Sequence, residues 1–180
     1  MLEALLEDVE EVPGERLPSL LEVNSLPMAE LVAALGRSSS AANVPLAHAV
    51  CTRLALLVQR PGMDQAVAAA GGIEAVVTAM RTFPSSSELQ AIGCELVALC
   101  CLRTDAHDLE AEQRRLLALN AGALQAIVAG LAAHAVTNDP TGDLLTRGCM
   151  ALAVIVGDDP SLRVQAVALG ADAGWLPGAS

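Results

Sequence analysis

This 180-residue chain has almost no aromatic residues, no tyrosine and no lysine. Phe83 and Trp175 are its two aromatic side chains, so the residues that most favour strands are scarce. Hydrophobic residues nevertheless make up 53% of the chain, and the interior must therefore consist of Ala, Leu, Val and Ile. Ala and Leu are strong helix formers, so the composition predicts an all-α fold of closely packed helices. The lack of lysine also excludes a phosphate-binding loop of the kind that requires one.

The chain is strongly acidic, with 10 arginines against 21 acidic residues and a net charge of −11. Such a surface repels phosphate, and the basic stripe with stacking aromatics that nucleic-acid binding requires is absent, so we expect no nucleic-acid partner. Residues 1–24 carry seven of the acidic residues against a single Arg16. We predict an N-terminal acidic helix here that caps the fold, and its carboxylates form either a solvated face or a docking tail.

The sequence shows no export signal, no mitochondrial presequence and no membrane span. The acidic start differs from a secretory signal, which is basic and then apolar, and from an arginine-rich mitochondrial presequence. The best apolar stretch, residues 121–136, is too short to span a membrane and contains Gln125 and His134. We therefore expect a buried helix there and a cytoplasmic or nuclear protein.

Residues that could carry chemistry are isolated. The histidines His48, His107 and His134 have no companion motif, and Asp105-Ala106-His107-Asp108 is more typical of a polar loop and helix start than of a ligand cluster. The five cysteines lie in apolar helical stretches without metal-ligand spacing, which favours reduced, buried thiols over disulfides or zinc. The sequence predicts no enzyme activity, no metal and no cofactor.

Two sequence blocks recur in the same order along the chain. Residues 71–80 align with residues 122–131 at an offset of 51, and residues 28–35 align with residues 73–80 at an offset of 45. A second block at 93–99 aligns with 148–154 and with 50–56. Two blocks that alternate at such spacings are typical of a helical solenoid.

Helix boundary signals divide the chain in the same way. Asp139-Pro140 and Asp159-Pro160 place a capping carboxylate before a proline, and Ser85 and Glu88 have the spacing of a capping box. Gly71 and Gly122 suit the left-handed turn that ends one helix and starts the next. We predict loops at the serine runs 38–40 and 85–87, and three helices per repeat. The predicted helices span residues 27–36, 43–59, 63–70, 73–82, 87–102, 108–120, 123–136, 141–156 and 160–169.

These blocks resemble the armadillo family over roughly residues 26–176. The runs at 71–80 and 122–131 are similar to that family's second-helix motif, and those at 93–101 and 148–156 are similar to its third-helix motif. The resemblance implies a right-handed α-solenoid of three-helix repeats, about three of them in residues 25–180 with the last incomplete. It also implies that the chain is a eukaryotic scaffold that binds another protein.

The sequence departs from the family at the position that matters for peptide binding. Peptide-binding members carry an asparagine in the third-helix motif, and the matching positions here hold Leu56, Leu99 and Val154. If these residues line the groove, an amphipathic partner helix fits better than an extended peptide. The alternative is a register one position off, in which case the three residues are ordinary core.

The C-terminal end of the array lacks a polar cap. Residues 169–176 look like another second-helix opening and contain Trp175, a fourth candidate contact residue. An uncapped repeat is expected either where the chain is part of a longer array or where its end docks against something, which includes end-to-end association. Two functions remain open: a protein-interaction scaffold, or a structural subunit whose faces are permanently buried in a larger assembly.

Overall fold

The computed structural model describes residues 16–103, 108–134 and 142–176 of the chain. Within these ranges it contains nine α-helices, two short 3-10 turns and no strand, which confirms the all-α prediction. The 3-10 turns are Glu22–Ser25 and Ala173–Trp175. The helices are α1 (Met28–Ser40), α2 (Val44–Val58), α3 (Met63–Ala69), α4 (Gly72–Thr82), α5 (Ser87–Cys101), α6 (Leu109–Ala121), α7 (Ala123–His134), α8 (Asp143–Val156) and α9 (Pro160–Ala168).

Among the described residues, the predicted helix bounds are correct to within one residue except at the end of α1. The predicted end of α7 at residue 136 and start of α8 at residue 141 lie outside the described residues. The serine run 38–40, predicted as a loop, forms the last turn of this helix. The Ser38 hydroxyl donates to the carbonyl of Leu35 at 2.7 Å, and the Ser40 hydroxyl donates to that of Gly36 at 3.2 Å. Serine hydroxyls that bond back to carbonyls of the preceding turn can stay helical, and this explains the difference.

Polar caps start several of the helices. Asp159 is the N-cap of α9 and precedes Pro160 at the first helical position, as predicted. At α5 the cap is Ser86, whose hydroxyl accepts from the Leu89 amide at 3.3 Å, so the capping box predicted from Ser85 and Glu88 is wrong by one residue. Capping from Ser86 brings Leu89 into the core. The Asp139-Pro140 signal lies outside the described residues, and α8 begins at Asp143.

Glycines in the left-handed conformation recur at one kind of corner. Gly71, Gly122 and Gly170 have φ values of 77°, 89° and 101°, and each follows the helix that ends just before it. A positive φ costs glycine little and other residues considerably more. The left-handed turns predicted at Gly71 and Gly122 are therefore confirmed, and Gly170 adds a third.

From α1 to α5, each helix contacts the one three places further along the chain. The strongest contacts join α5 to α8 and α2 to α5, and α4 lies between α1 and α7 in the same way. Eleven of the fifteen residues of α5 are buried, because this helix lies between α2 and α8. The core is thus a continuous apolar layer rather than several separate clusters.

Two glycines allow the helices of this core to approach closely. A methyl group added at Gly93 of α5 would lie 2.6 Å from the Cγ of Met80, and one added at Gly148 of α8 would lie 2.6 Å from a methyl of Leu131. Met80 and Leu131 occupy matching positions in α4 and α7. The recurring glycine of the second sequence block therefore makes room for the end of the preceding helix.

Two buried polar side chains bond to the carbonyls at helix ends. The Gln90 amide donates to the carbonyls of Met80 and Phe83 at 2.8 and 3.0 Å, at the end of α4. Arg114 of α6 donates to the carbonyl of Cys100 at 2.5 Å and pairs with Asp64 of α3 at 2.7 Å. Carbonyls in the last helical turn have no partner within their own helix, so these side chains satisfy groups that would otherwise be buried without one.

All five cysteines are free thiols, and four of them are buried, as predicted. Burial raises the pKa of Cys51 to about 12. It is also the main reason that the pKa of Cys94 rises to about 12. Cys149 is partly exposed. No single described helix has both the length and the apolarity of a membrane span; α6 and α7 meet those criteria only when taken together, and they meet at a bend of 64°.

Candidate protein-binding surface

At some positions of the second sequence block, helices α2, α5 and α8 bury matching residues, whereas at the cysteine position Cys149 of α8 is partly exposed. Cys51 and Cys94 are buried at the same position of their helices, and so are Leu54, Val97 and Leu152 at another. The alignment made from the sequence therefore describes the packing of these helices. It also fixes which residues of the three helices lie on the same outer side.

The three candidate residues of this block lie at the outer edge of the core. Leu56 is 54% exposed, so the alternative in which it is ordinary core does not hold for it. Leu99 and Val154 are partly buried and contact the core with part of their side chains. The three residues together form a partly exposed apolar row across α2, α5 and α8.

Two polar side chains and one methionine lie beside this row. Thr52, Glu95 and Met150 occupy the positions four residues before Leu56, Leu99 and Val154, which places them one turn away on the same side of each helix. Glu95 of α5 forms an ion pair with Arg147 of α8, and Asp143 accepts from the same guanidinium at 3.0 Å. We call the surface made by these residues the α2–α5–α8 face.

A groove of about 580 Å³ lies where α5 and α8 end, and Val154 lines one side of it. Arg115 lines it too, and donates to the carbonyl of Ile155 at 2.7 Å and to both carboxylate oxygens of Glu112 at 2.8 and 3.0 Å. These hydrogen bonds lower the pKa of Glu112 and raise that of Arg115, so both groups are charged over the ordinary pH range. Leu102, which is exposed, adds apolar surface to the groove.

Trp175 lies elsewhere, in the 3-10 turn Ala173–Trp175 that contacts α8. It is half-buried and packs against the core. The carboxylate of Asp172 accepts from the Gly174 amide at 2.7 Å and caps this turn. The predicted second-helix opening is thus a single helical turn among the described residues.

The acidic N-terminal segment is described only from residue 16 onward. There Glu22 pairs with Arg16 at 2.6 Å and accepts from the Ser19 amide at 2.7 Å. These hydrogen bonds lower the pKa of Glu22 to about 2. The one from the Ser19 amide has the largest effect, and the one from Arg16 has the next largest. Residues 1–15 of the predicted N-terminal acidic helix lie outside the described residues.

Groups that could bind a metal do not come together in the described part of the chain, where no three His, Cys, Asp or Glu side chains form a cluster. His134 shares a hydrogen bond of 2.9 Å with the Pro84 carbonyl, and His48 is a partly buried residue of α2. Residues 105–107 lie outside the described ranges, while Asp108 is the N-cap of α6 and accepts from the Ala111 amide at 2.8 Å. The helix start predicted there is confirmed.

Sequence reasoning missed Arg114, Arg115 and Gln90, which join helices through carbonyls that no sequence motif marks. An arginine pair within a helix is usually a solvated feature, and its partners here are backbone atoms distant in the chain.

Comparison of the chain with protein-family models, with curated proteins and with solved structures gives no match.

Proposed function

We propose that this chain is a non-catalytic protein-interaction scaffold of the armadillo type, a right-handed solenoid of three-helix repeats. It binds a partner protein along the α2–α5–α8 face, in the cytoplasm or the nucleus. The observation that carries this proposal is the partly exposed apolar row of Leu56, Leu99 and Val154, which occupy the same position on three neighbouring helices.

The order of helix contacts supports the solenoid. Each of the helices α1 to α5 packs against the one three places further along, as expected for stacked three-helix repeats. In this assignment α3, α4 and α5 form one repeat, α6, α7 and α8 form the next, and α1 with α2 belongs to the repeat before them. The left-handed glycines Gly71, Gly122 and Gly170 then mark the same corner in successive repeats.

The chemistry of the face favours a partner helix. Aliphatic side chains offer no amide to hold the backbone of an extended peptide, whereas an amphipathic helix satisfies its own backbone and presents apolar side chains. The Glu95–Arg147 pair would give polar contacts at the rim. A binding helix with Leu-like anchors therefore matches this surface best.

The exposed end of α8 and α9 supports a second candidate function. A structural subunit with permanently covered faces would also leave apolar side chains uncovered when alone, and Val164 and Val167 of α9 are both exposed. Such a subunit would aggregate in isolation, whereas a scaffold with reversible partners would stay monodisperse or form a defined oligomer.

Site-specific photo-crosslinking tests the proposed binding face. A photoreactive amino acid at position 56 on α2 should capture a defined partner, and one at Thr78, an exposed position on α4, should not. With that partner purified, Leu56→Asp should weaken binding about tenfold or more, because an apolar anchor loses its contact. Leu116→Asp, at a leucine of similar exposure on α6, is the matched control.

The salt dependence of binding distinguishes this mechanism from attraction to the acidic surface. Apolar contacts depend weakly on salt, whereas a basic partner held by the carboxylates would lose affinity steeply as the salt concentration rises. Steep salt dependence together with full binding by Leu56→Asp and by a folded Leu99→Asp variant would contradict the proposal.

A further inference from the structure

One side of α8 carries residues that are typical of a protein interior, and yet this side is exposed to solvent. Leu145, Cys149 and Ala153 follow one another at intervals of one turn along this side. Leu145 is 48% exposed, Cys149 is partly exposed and Ala153 is exposed. The residues at the same positions of α5 are all buried, on the helix that packs against α8: Gln90, Cys94 and Ala98.

Helix α9 shows the same contrast. Val167 is 52% exposed, whereas Leu119, at the matching position of α6, packs against the core. Together Leu145, Cys149, Ala153 and Val167 form what we call the end face. All four side chains are uncharged, whereas the solvent-facing side of a helix normally carries polar side chains.

The opposite side of the helix stack, at α2, is covered. The 3-10 turn Glu22–Ser25 packs against α2, and its Val23 is buried in the core. Leu17 and Leu26, on either side of the turn, also pack there. A second copy of the chain would therefore pack its own end face against this end face more readily than against the covered side at α2.

The end face is complementary to itself. Leu145 lies one turn before Cys149, and Ala153 lies one turn after it. If two copies of α8 cross antiparallel at Cys149, the large Leu145 of each copy lies over the small Ala153 of the other. Large side chains opposite small ones allow close helix packing, and a symmetric contact of this kind closes without forming a filament.

We propose that two copies of the chain associate through their end faces into a symmetric dimer, with the two α8 helices antiparallel and Cys149 of each copy at the two-fold axis. The dimer stands apart from the proposed partner site, because Leu56, Leu99 and Val154 lie on a different side of the helices. Each copy carries a net charge of −11, so added salt should strengthen the dimer by screening repulsion between copies.

Analytical ultracentrifugation of the full chain over a wide concentration range tests the dimer. The wild type should shift from monomer to dimer, and Leu145→Glu should raise the dissociation constant at least about tenfold. Leu116→Glu provides a matched control, because Leu116 is 49% exposed on α6 and outside the end face. Ala153→Gln, at an exposed position, repeats the test should Leu145→Glu fail to fold.

A short bismaleimide cross-linker tests the position of the axis. The wild-type dimer should give a covalent dimer on a denaturing gel, and Cys149→Ser should give none, since the other four cysteines are buried. A chain that stays monomeric, a ladder beyond the dimer, or a dimer unaffected by both end-face substitutions would overturn the proposal. Leu56→Glu should leave dimerisation unchanged, so loss of the partner site and loss of the dimer are separate results.

Discussion

Single glycines determine how closely neighbouring helices pack in this protein. Gly93 and Gly148 lie under Met80 and Leu131, with no room for a further carbon atom. Gly36 lies in α1 with no atom within 4 Å of the place where a methyl group would go. The same substitution should therefore have opposite effects at the two kinds of site.

We expect Gly93→Ala to lower the free energy of unfolding by about 1–2 kcal/mol, because overpacking of the core outweighs the better helix propensity of alanine. Gly36→Ala should raise it by roughly 0.5–1 kcal/mol, since only the propensity term applies. Urea denaturation followed by circular dichroism measures both. Equal stabilisation by the two substitutions would show that the close contact with Met80 is absent.

The cysteines differ in exposure, and their reactivity should follow it. Burial raises the pKa of Cys51 and of Cys101 to about 12, so both stay protonated at pH 8, and the buried sulfurs are also out of reach of reagents. At concentrations where the protein is monomeric, we expect a maleimide to label Cys149 in the native protein, and all five cysteines only after unfolding. Mass spectrometry of digested, labelled protein checks this, and rapid native labelling of Cys51 would contradict the packing of α2.

At the scale of the helices, the ends of α5 and α8 are held by neighbouring arginines of α6. Arg114 donates to the Cys100 carbonyl and Arg115 to the Ile155 carbonyl, so one helix satisfies the last turns of two others. Positive groups near helix C-termini also interact favourably with the helix dipole. Helix α6 thereby joins two helices that pack side by side.

We expect Arg114→Met to lower the free energy of unfolding by roughly 1–3 kcal/mol, because the buried Cys100 carbonyl loses its donor and Asp64 loses its ion partner. Arg81→Met, at an exposed arginine of α4, should change it by less than about 0.5 kcal/mol. Thermal unfolding of both variants gives the comparison. Equal stability of the two would mean that the Arg114 contacts add nothing to the fold.

Helix positions followed from the sequence because local signals specify them. Asp159 with Pro160, and Gly71 and Gly122, act on the residues next to them, so reading along the chain locates the boundaries. The Ser38–Ser40 turn was missed since serine suits both a loop and a helix end, and contacts within α1 decided the outcome. Arg114 was missed because its partners, Asp64 and the Cys100 carbonyl, are brought together only by the fold.

For the whole molecule, the sequence alignment identified the outer row but not how far each residue protrudes. Leu56, Leu99 and Val154 occupy matching positions of α2, α5 and α8, and yet Leu56 is exposed while the other two are partly buried against the core. The end face followed only from comparing the burial of α8 with that of α5.

The scarcity of aromatic side chains gives the protein a single optical reporter. Trp175 is the one tryptophan, there is no tyrosine, and it lies in the last described turn, against α8. Its emission therefore reports on that end of the molecule alone, whereas far-ultraviolet circular dichroism averages over all helices. Local opening of a terminal element costs less free energy than global unfolding.

We expect the Trp175 emission to shift to longer wavelength at a lower urea concentration than the loss of helical signal, because the last turn separates from α8 first. In the dimeric state the two transitions should move closer together as the protein concentration rises, since association through α8 stabilises that end. Parallel fluorescence and dichroism titrations at two protein concentrations measure this. Coincident curves at both concentrations would indicate one cooperative unit from Val23 to Trp175.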